Sequence, residues 1–428
     1  MNLDIFLVAL AVLVFGVLAG RLEGTPVTLP MLFAGTGILL GPSVLAVFEL
    51  DVGFEVVRVL AEATLVVVLF TDASRIDLGR VRDEHGIAVR LLVLGLPLAA
   101  LIGTGAAWLL FPGLPLVAAA LLAVTLAPTD AALGQSFVDN ESVPQRIRQT
   151  LNVESGLNDG LALPFLVLLL DVARSRADGA GDFVVVLLQA IAVGVLVGLA
   201  AGGLGSRLIT TCARRGWTTP STLRLTTIAL AAIAYAGAES LGGNGFVAAF
   251  MAGIAVGTVA RSLLENTTDF AQADGQLLTL LTFLLFGVVV AGPVLADTSW
   301  QVVAYAAASL LVVRPLATGV ALLGSGLRPT TVAFVGWAGP RGLASIVYGV
   351  LVLESGVDGA ETVFTVAAWT IVLSIALHGL SSAPLSRRYG AHVERFPEDA
   401  PERQEVTDLP VRLPPSWAHH HEQTDRTT

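Results

Sequence analysis

The chain is a succession of long apolar runs separated by short polar loops. A run of about 20 predominantly apolar residues predicts a helix that crosses a bilayer. About thirteen such runs are present, which predicts an all-α polytopic membrane protein with one membrane domain. The predicted spans lie near residues 3–20, 28–47, 54–71, 87–111, 114–135, 150–173, 183–206, 221–241, 244–262, 275–295, 299–323, 329–353 and 361–385.

Two of these spans are interrupted by proline within polar sequence. Span five is interrupted at Pro128 and span twelve at Gly339-Pro340-Arg341. Proline removes a backbone donor, and in lipid the freed carbonyls must find partners inside the protein or in a wet cavity. If spans one to six and eight to thirteen are two repeats, the interruptions occupy matching positions. Such pairs indicate a transporter's binding site; the alternative is two ordinary proline kinks.

Acidic residues lie in and beside the same apolar sequence. An ionised carboxylate at the bilayer centre costs roughly 2.5–3.5 kcal/mol on insertion scales. Asp130, Glu154 and Asp159 lie close together along the chain, so some interaction must offset this cost. A cation or proton site is the economical explanation.

Helical spacing groups the polar residues of span six. Ser155 and Asp159 are four residues apart and share one helix face, while Glu154 and Asn158 share the neighbouring face. Hydrogen bonding between helices would account for Ser155 and Asn158. It would not account for the two carboxylates, which therefore require a charged partner or a functional role.

Arg314 lies deep in span eleven and requires an anion. Removing one partner from a buried ion pair costs roughly 3–5 kcal/mol. We predict that Arg314 forms a structural ion pair with Glu154, which leaves Asp159 to titrate. The opposite pairing, with Asp159, would neutralise the predicted site.

Composition and charge agree with a membrane protein and predict its orientation. Only 14% of the residues are charged, against about 25% in an average soluble domain, and no basic patch indicates nucleic acid. The positive-inside rule predicts an outside N-terminus and a cytoplasmic C-terminus in the cell membrane. The predicted cytoplasmic loops hold most of the arginines: Arg21, Arg75, Arg80, Arg82, Arg146, Arg148, Arg207, Arg214, Arg215, Arg261, Arg328, Arg387 and Arg388. The opposite loops hold Arg174 and Arg176.

The C-terminal sequence changes character near Tyr389. Residues 1–388 are predicted to form the transmembrane domain. Residues 389–428 are polar, acidic and contain several prolines, which is typical of a flexible cytoplasmic tail.

At these motifs the chain resembles the cation:proton antiporter-1 family, the NhaP-type sodium/proton antiporters. The resemblance implies an NhaA/NhaP-like fold with two inverted six-helix repeats, crossed broken helices 5 and 12, a homodimer and elevator-like alternating access. The span-six motif is the most specific. The motifs are Ala127-Pro128-Thr129-Asp130, Glu154-Ser155-Gly156-Leu157-Asn158-Asp159-Gly160, Gly339-Pro340-Arg341-Gly342 and His378-Gly379-Leu380-Ser381-Ser382-Ala383-Pro384-Leu385.

The resemblance also implies the composition of the ion site. Asp159 would be the ion- and proton-binding carboxylate, and Na⁺ would bind at Asp159, Ser155 and Thr129, with Asp130 completing the site. Asn158 beside Asp159 resembles the electroneutral branch of the family, as does Arg314.

The chain departs from the family in span three. Many members have a glutamate there that can reach the ion. This chain has Thr71 at that position and Asp72 one residue later. One residue rotates a helical side chain by about 100°, so these two residues are only candidate additional ligands.

These observations predict a secondary antiporter and not an enzyme. It would exchange Na⁺, and also Li⁺, for H⁺ with one-for-one stoichiometry, and it would need no cofactor beyond the transported ions. Its partners would be monovalent cations, the lipid bilayer and a second copy of itself. A K⁺/H⁺ antiporter on the same scaffold is the alternative. An ion channel is disfavoured because no repeated filter loops are found. An intramembrane aspartyl protease is disfavoured because it would place a Gly-x-Gly-Asp sequence at the active acid, whereas Asp159 follows Leu157-Asn158.

Overall fold

The computed structural model describes residues 2–22, 25–47, 54–75, 86–178, 183–260, 268–296, 298–404 and 406. In these ranges the chain forms 15 helices and no strand. The helices are α1 (Asn2–Leu22), α2 (Leu29–Leu40), α3 (Phe54–Arg75), α4 (Gly86–Leu110), α5 (Leu116–Thr125), α6 (Ala131–Val138), α7 (Gln145–Asp178), α8 (Phe183–Arg214), α9 (Pro220–Ser240), α10 (Gly245–Val259), α11 (268–296), α12 (Trp300–Ala321), α13 (Pro329–Trp337), α14 (Leu343–Glu354) and α15 (Ala360–Val393).

The helices confirm the prediction of an all-α polytopic membrane protein. Six of the described helices, α4, α7, α8, α11, α12 and α15, contain segments that are long and apolar enough to cross a membrane. The predicted spans five and twelve are each split in two, as α5–α6 and α13–α14. With each split pair taken as one span, the helices follow the predicted series of apolar runs.

Three of the long helices widen into a π-turn, and each π-turn ends two residues before a proline. Proline cannot donate to the carbonyl four residues earlier, and in each case that carbonyl lies inside the π-turn. The local widening is thus the helix's response to the missing donor. The π-turns are Leu91–Gly95 before Pro97, Gly287–Ala291 before Pro293 and Ser309–Val313 before Pro315.

The chain divides into two compact units, one of 1–65, 81–188 and 278–406, the other of 66–80, 189–277 and 407–428. Within the second unit, glycines allow helix backbones to approach closely. A Cβ on Gly198 of α8 would lie 2.9 Å from the Cα of Ala248 on α10. Small residues at such contacts are the usual solution for helices packed in lipid, where van der Waals contact drives association.

In the first unit, the ordered chain extends beyond the predicted domain boundary. The boundary at 388 falls inside α15, which continues to Val393. Phe396 and Ala400 are buried in an apolar cluster with Phe334 of α13, and Glu402 is fully buried. These findings correct the prediction of a flexible tail for residues 389–404, which continue α15 and then pack against the first unit. Residues 407–428 lie outside the described residues.

Candidate functional site

The two split spans meet at their breaks, within the first unit. Between α5 and α6, and between α13 and α14, the chain leaves the helical conformation for about five residues. The backbone N–H of Asp130 donates to the carbonyl of Pro340 over 2.8 Å. The two non-helical segments are therefore hydrogen-bonded to each other, as expected where irregular backbone is buried in protein at membrane depth.

Two glycines make room for charged side chains at this junction. A Cβ on Gly339 would lie 2.7 Å from the Cζ of Arg314, and a Cβ on Gly342 would lie 2.6 Å from the Cγ of Asp130. Both groups are buried, so neither can readily move aside to make room for a Cβ. Glycine at these positions thus allows Arg314 and Asp130 to reach the broken span twelve.

Asp130 caps two helices at once. Its Oδ1 accepts from the N–H of Leu133 over 2.8 Å, and its Oδ2 accepts from the N–H of Leu343 over 2.7 Å. These donors belong to the first turns of α6 and α14. A carboxylate at a helix N-terminus satisfies open donors and complements the helix dipole. Both oxygens of this predicted ion ligand thus accept hydrogen bonds from the backbone.

Arg341 complements the opposite helix ends. Its guanidinium is 1% exposed and donates through one nitrogen to the carbonyls of Pro128, at 3.0 Å, and Gly339, at 3.2 Å. These carbonyls lie just beyond the C-termini of α5 and α13, where the helix dipole favours a cation. Its backbone N–H donates to the Oγ of Ser374 on α15 over 2.6 Å. The sequence predicted that Arg341 lies in the break, but it did not predict these hydrogen bonds.

Glu154 and Arg314 form a bidentate ion pair. Arg314 donates to the two oxygens of Glu154 over 2.5 and 2.8 Å, and the side chains are 8% and 3% exposed. Planar fork-to-fork geometry is the strongest arrangement for such a pair. The structure therefore brings Arg314 to Glu154, the partner that the electrostatic argument favoured.

Three neutral side chains of the predicted site are hydrogen-bonded together. The hydroxyls of Thr129 and Ser155 lie 3.0 Å apart, and Nδ2 of Asn158 donates to Oγ1 of Thr129 over 2.6 Å. Thr129 comes from the break in span five, and the other two come from α7. The Oδ1 of Asn158 is buried without a hydrogen-bond partner among the described residues, and such an atom calls for a water or an ion.

Asp159 lies on α7 directly after Asn158 and one helical turn after Ser155, and it is buried. Its backbone carbonyl accepts from the hydroxyl of Tyr348 on α14 over 2.6 Å. The break in span five therefore contacts two side chains that precede Asp159, and α14 contacts the backbone of Asp159 itself. Oxygen groups beside a buried carboxylate form the type of ligand set that hard cations prefer.

Thr71 and Asp72 lie near the end of α3 and are half-buried. Both belong to the second unit, whereas the residues described above belong to the first. Their role as additional ligands stays a prediction.

Sequence reasoning missed the hydroxyl groups of α14. Ser345 donates to the carbonyl of Thr125, the last residue of α5, over 2.8 Å, and Tyr348 donates to Asp159 as described. Their spacing of three residues puts both on one face of a helix that is otherwise apolar up to its last residue, Glu354. That pattern was visible in the sequence, but the partners depend on how the broken helices meet.

Comparison with known proteins gives matches over nearly the whole chain. The family model for "Sodium/hydrogen exchanger, transmembrane" matches residues 6–388. The K(+)/H(+) antiporter NhaP of Alkalimonas amylolytica is 26% identical over 336 residues, which are 78% of this chain and 58% of that protein. The K(+)/H(+) antiporter NhaP2 of Shewanella oneidensis is 27% identical over 387 residues, 88% of this chain and 65% of that protein.

The chain therefore spans less than two thirds of the length of these relatives. Among solved structures, the sodium proton antiporter MjNhaP1 from Methanocaldococcus jannaschii at pH 8 superposes with a TM-score of 0.75. The match covers 92% of this chain and 99% of that one at 18% identity. At that level of identity the likeness shows a shared fold.

Proposed function

The chain belongs to the transmembrane sodium/hydrogen exchanger family, and we propose that it exchanges a monovalent cation for a proton across the membrane. The observation that carries this proposal is the polar cluster at the junction of the two breaks. Thr129 bonds to Ser155 and Asn158, which are the side chains that accompany Asp159 on α7. A buried acid beside neutral oxygen ligands can hold either a cation or a proton.

The mechanism is competition for the carboxylate of Asp159. In the ionised form, Asp159 attracts a hard cation, and the oxygens of Ser155 and Thr129 replace part of its hydration shell. Protonation removes the charge and releases the cation. Access to the site alternates as the helices that carry the two breaks move in an elevator-like manner relative to the rest of a homodimer.

Fixed pairing of the other charges supports one-for-one exchange. Glu154 is bonded to Arg314, and Asp130 is bonded to two helix N-termini. Asn158, the neighbour of Asp159, carries no charge. A single acid would then exchange one proton for one monovalent cation.

Na⁺ is the proposed cation, with Li⁺ as a congener, and K⁺ is the alternative. The solved neighbour is named a sodium proton antiporter, whereas the curated relatives are named K(+)/H(+) antiporters. The arginine distribution supports a cell-membrane protein with its N-terminus outside and its C-terminus in the cytoplasm.

The test is to replace Asp159 with Asn and measure exchange in everted vesicles. A pH-sensitive dye reports proton movement when Na⁺, K⁺ or Li⁺ is added separately. We expect Asp159→Asn to abolish the response to every cation, because the amide can neither ionise nor release a proton. The largest wild-type response would identify the cation.

The matched control is Asp171→Asn, the same substitution at a half-buried position on the same helix. It should exchange ions at close to the wild-type rate. Exchange retained by Asp159→Asn would refute the assignment. Cation conductance driven by voltage alone, without coupled proton movement, would instead support a channel.

A further inference from the structure

Tyr348 links the broken span twelve to the residue that carries the proposed titrating group. Its side chain is fully buried at 0% exposure, and its hydroxyl donates to the carbonyl of Asp159 over 2.6 Å. Tyr348 lies on α14, whose N-terminus is capped by Asp130. One short helix therefore contacts both the break and the backbone of Asp159.

This hydrogen bond goes beyond what the helix itself requires. In α7 the carbonyl of Asp159 is already in position to accept from the N–H of Leu163, four residues later. A buried phenol needs some acceptor, but many helix carbonyls could serve. The carbonyl used here belongs to Asp159, so the bond fixes the backbone at that residue.

The backbone after Asp159 is also the place where α7 is weakest. Pro164 lies inside the helix, and since proline has no N–H, the carbonyl of Gly160 has no intrahelical donor. A helix that lacks this bond bends more easily at that turn. The bond from Tyr348 holds the chain immediately before the weakened turn.

We propose that Tyr348 is a positioning residue for ion exchange, whose hydroxyl holds the Asp159 turn of α7 against α14. This inference rests on the proposed function. The bond keeps the carboxylate of Asp159 in register with the oxygens of Ser155 and Thr129.

Tyr348→Phe removes the hydroxyl and keeps the ring. The turn of α7 at Pro164 can then relax, so the cation is held less well and the proton competes better. A typical hydrogen bond corresponds to a change of about two- to tenfold in an equilibrium constant. We expect the apparent KM for the transported cation to rise by that factor, with the pH profile of exchange moved to higher pH and the maximal rate less affected.

Tyr305→Phe is the matched control. Tyr305 is 1% exposed, and its hydroxyl donates to the carbonyl of Gly103 over 3.1 Å, joining α12 to α4. The substitution removes the same atom from an equally buried bond between two helices. It should lower thermal stability about as much as Tyr348→Phe and leave the KM and the pH profile unchanged.

The experiment compares the wild type, Tyr348→Phe, Tyr305→Phe and Asp159→Asn as full-length protein. Initial exchange rates in proteoliposomes are measured against cation concentration from pH 6 to pH 9. The rise in Tm on adding NaCl or KCl in detergent gives a second readout, because a ligand that binds the folded state raises the Tm. A raised KM and a smaller cation-dependent Tm shift in Tyr348→Phe, but not in Tyr305→Phe, would support the inference.

A result that overturns the role of Tyr348 alone is distinguishable from one that overturns the proposed function. Equal KM values and pH profiles in the two tyrosine variants, with exchange lost in Asp159→Asn, would overturn the role of Tyr348 only. Exchange that is absent from the wild type, or retained in Asp159→Asn, would overturn the proposed function and this inference with it.

Discussion

The buried guanidinium of Arg314 is held in the protein by two hydrogen bonds to the carboxylate of one acid. Its partner, Glu154, is 3% exposed. Replacing Glu154 with Gln keeps the shape and removes the charge. We expect this variant to lose about 3–5 kcal/mol of stability, the usual cost of leaving one buried charge uncompensated. The apparent KM for the cation should change little, because the pair supports the fold.

Thermal unfolding in detergent together with vesicle exchange would check this expectation. The double variant Glu154→Gln/Arg314→Met removes both charges and should recover part of the lost stability, since the two sites interact directly. A single Glu154→Gln variant that unfolds like the wild type but no longer responds to cations would assign Glu154 to the ion site instead.

The pairing of Arg314 with Glu154 could be predicted from the sequence because few acids are available at the depth of Arg314. The choice of Glu154 over Asp159 rested on leaving Asp159 free to titrate. The bonding of Asp130 and Arg341 could not be predicted in the same way. Each forms hydrogen bonds with backbone groups at the ends of two separate helices. These helix ends come together only when the two broken spans pack against each other.

Among the helices, the two split spans are stabilised by charge at their open ends. Asp130 accepts hydrogen bonds from the N-termini of α6 and α14, while Arg341 donates hydrogen bonds to carbonyls that follow α5 and α13. Loss of an N-cap typically costs about 1 kcal/mol. Because Asp130 caps two helices, we expect Asp130→Ala to cost about twice as much as loss of a single cap.

Asn244→Ala provides the single-cap reference. Asn244 caps α10 alone, through a hydrogen bond of 2.9 Å from the N–H of Val247. Comparison of the two variants by thermal unfolding tests the ratio. If Asp130→Ala costs no more stability than Asn244→Ala but cation binding is lost, Asp130 is an ion ligand, as the family resemblance implied.

The position of each break could be predicted because proline and glycine are visible in the sequence. The π-turns could not be predicted as readily, although they too precede prolines. Pro97, Pro293 and Pro315 lie in helices that widen and continue, whereas Pro128 and Pro340 lie where the helix ends. The difference depends on neighbours: at the breaks, charged side chains are present to satisfy the exposed backbone groups.

For the whole molecule, the main departure from the sequence prediction is the chain after α15. Residues 394–404 look like a solvated tail because acids and prolines dominate them. Three residues nevertheless point inward, namely Phe396, Ala400 and Glu402. Hydropathy averaged over the segment hides this pattern, since two apolar anchors and one bonded acid suffice to dock it.

Glu402 joins this segment to the start of split span twelve. Its Oε1 accepts from the backbone N–H of Arg328 over 2.8 Å and from the hydroxyl of Thr331 over 2.9 Å. The segment is also tied to the first turn of α7, because Arg146 donates to the carbonyl of Pro401 over 2.6 Å. The polar contacts of residues 394–404 thus reach two helices that carry or adjoin the proposed site.

Glu402→Ala should loosen the first turn of α13. The variant leaves the N–H of Arg328 and the hydroxyl of Thr331 without their acceptor. Only the Thr331 hydroxyl is fully buried, and an unsatisfied buried group costs about 1–3 kcal/mol. We expect faster hydrogen exchange at the amides of residues 328–332 and a lower Tm. Glu398→Ala, which removes an exposed acid from the same segment, should change neither. If the amides of residues 328–332 exchange hydrogen at the same rate in both variants, the segment only covers the helix end. If they exchange faster in Glu402→Ala alone, the segment holds the broken span in place.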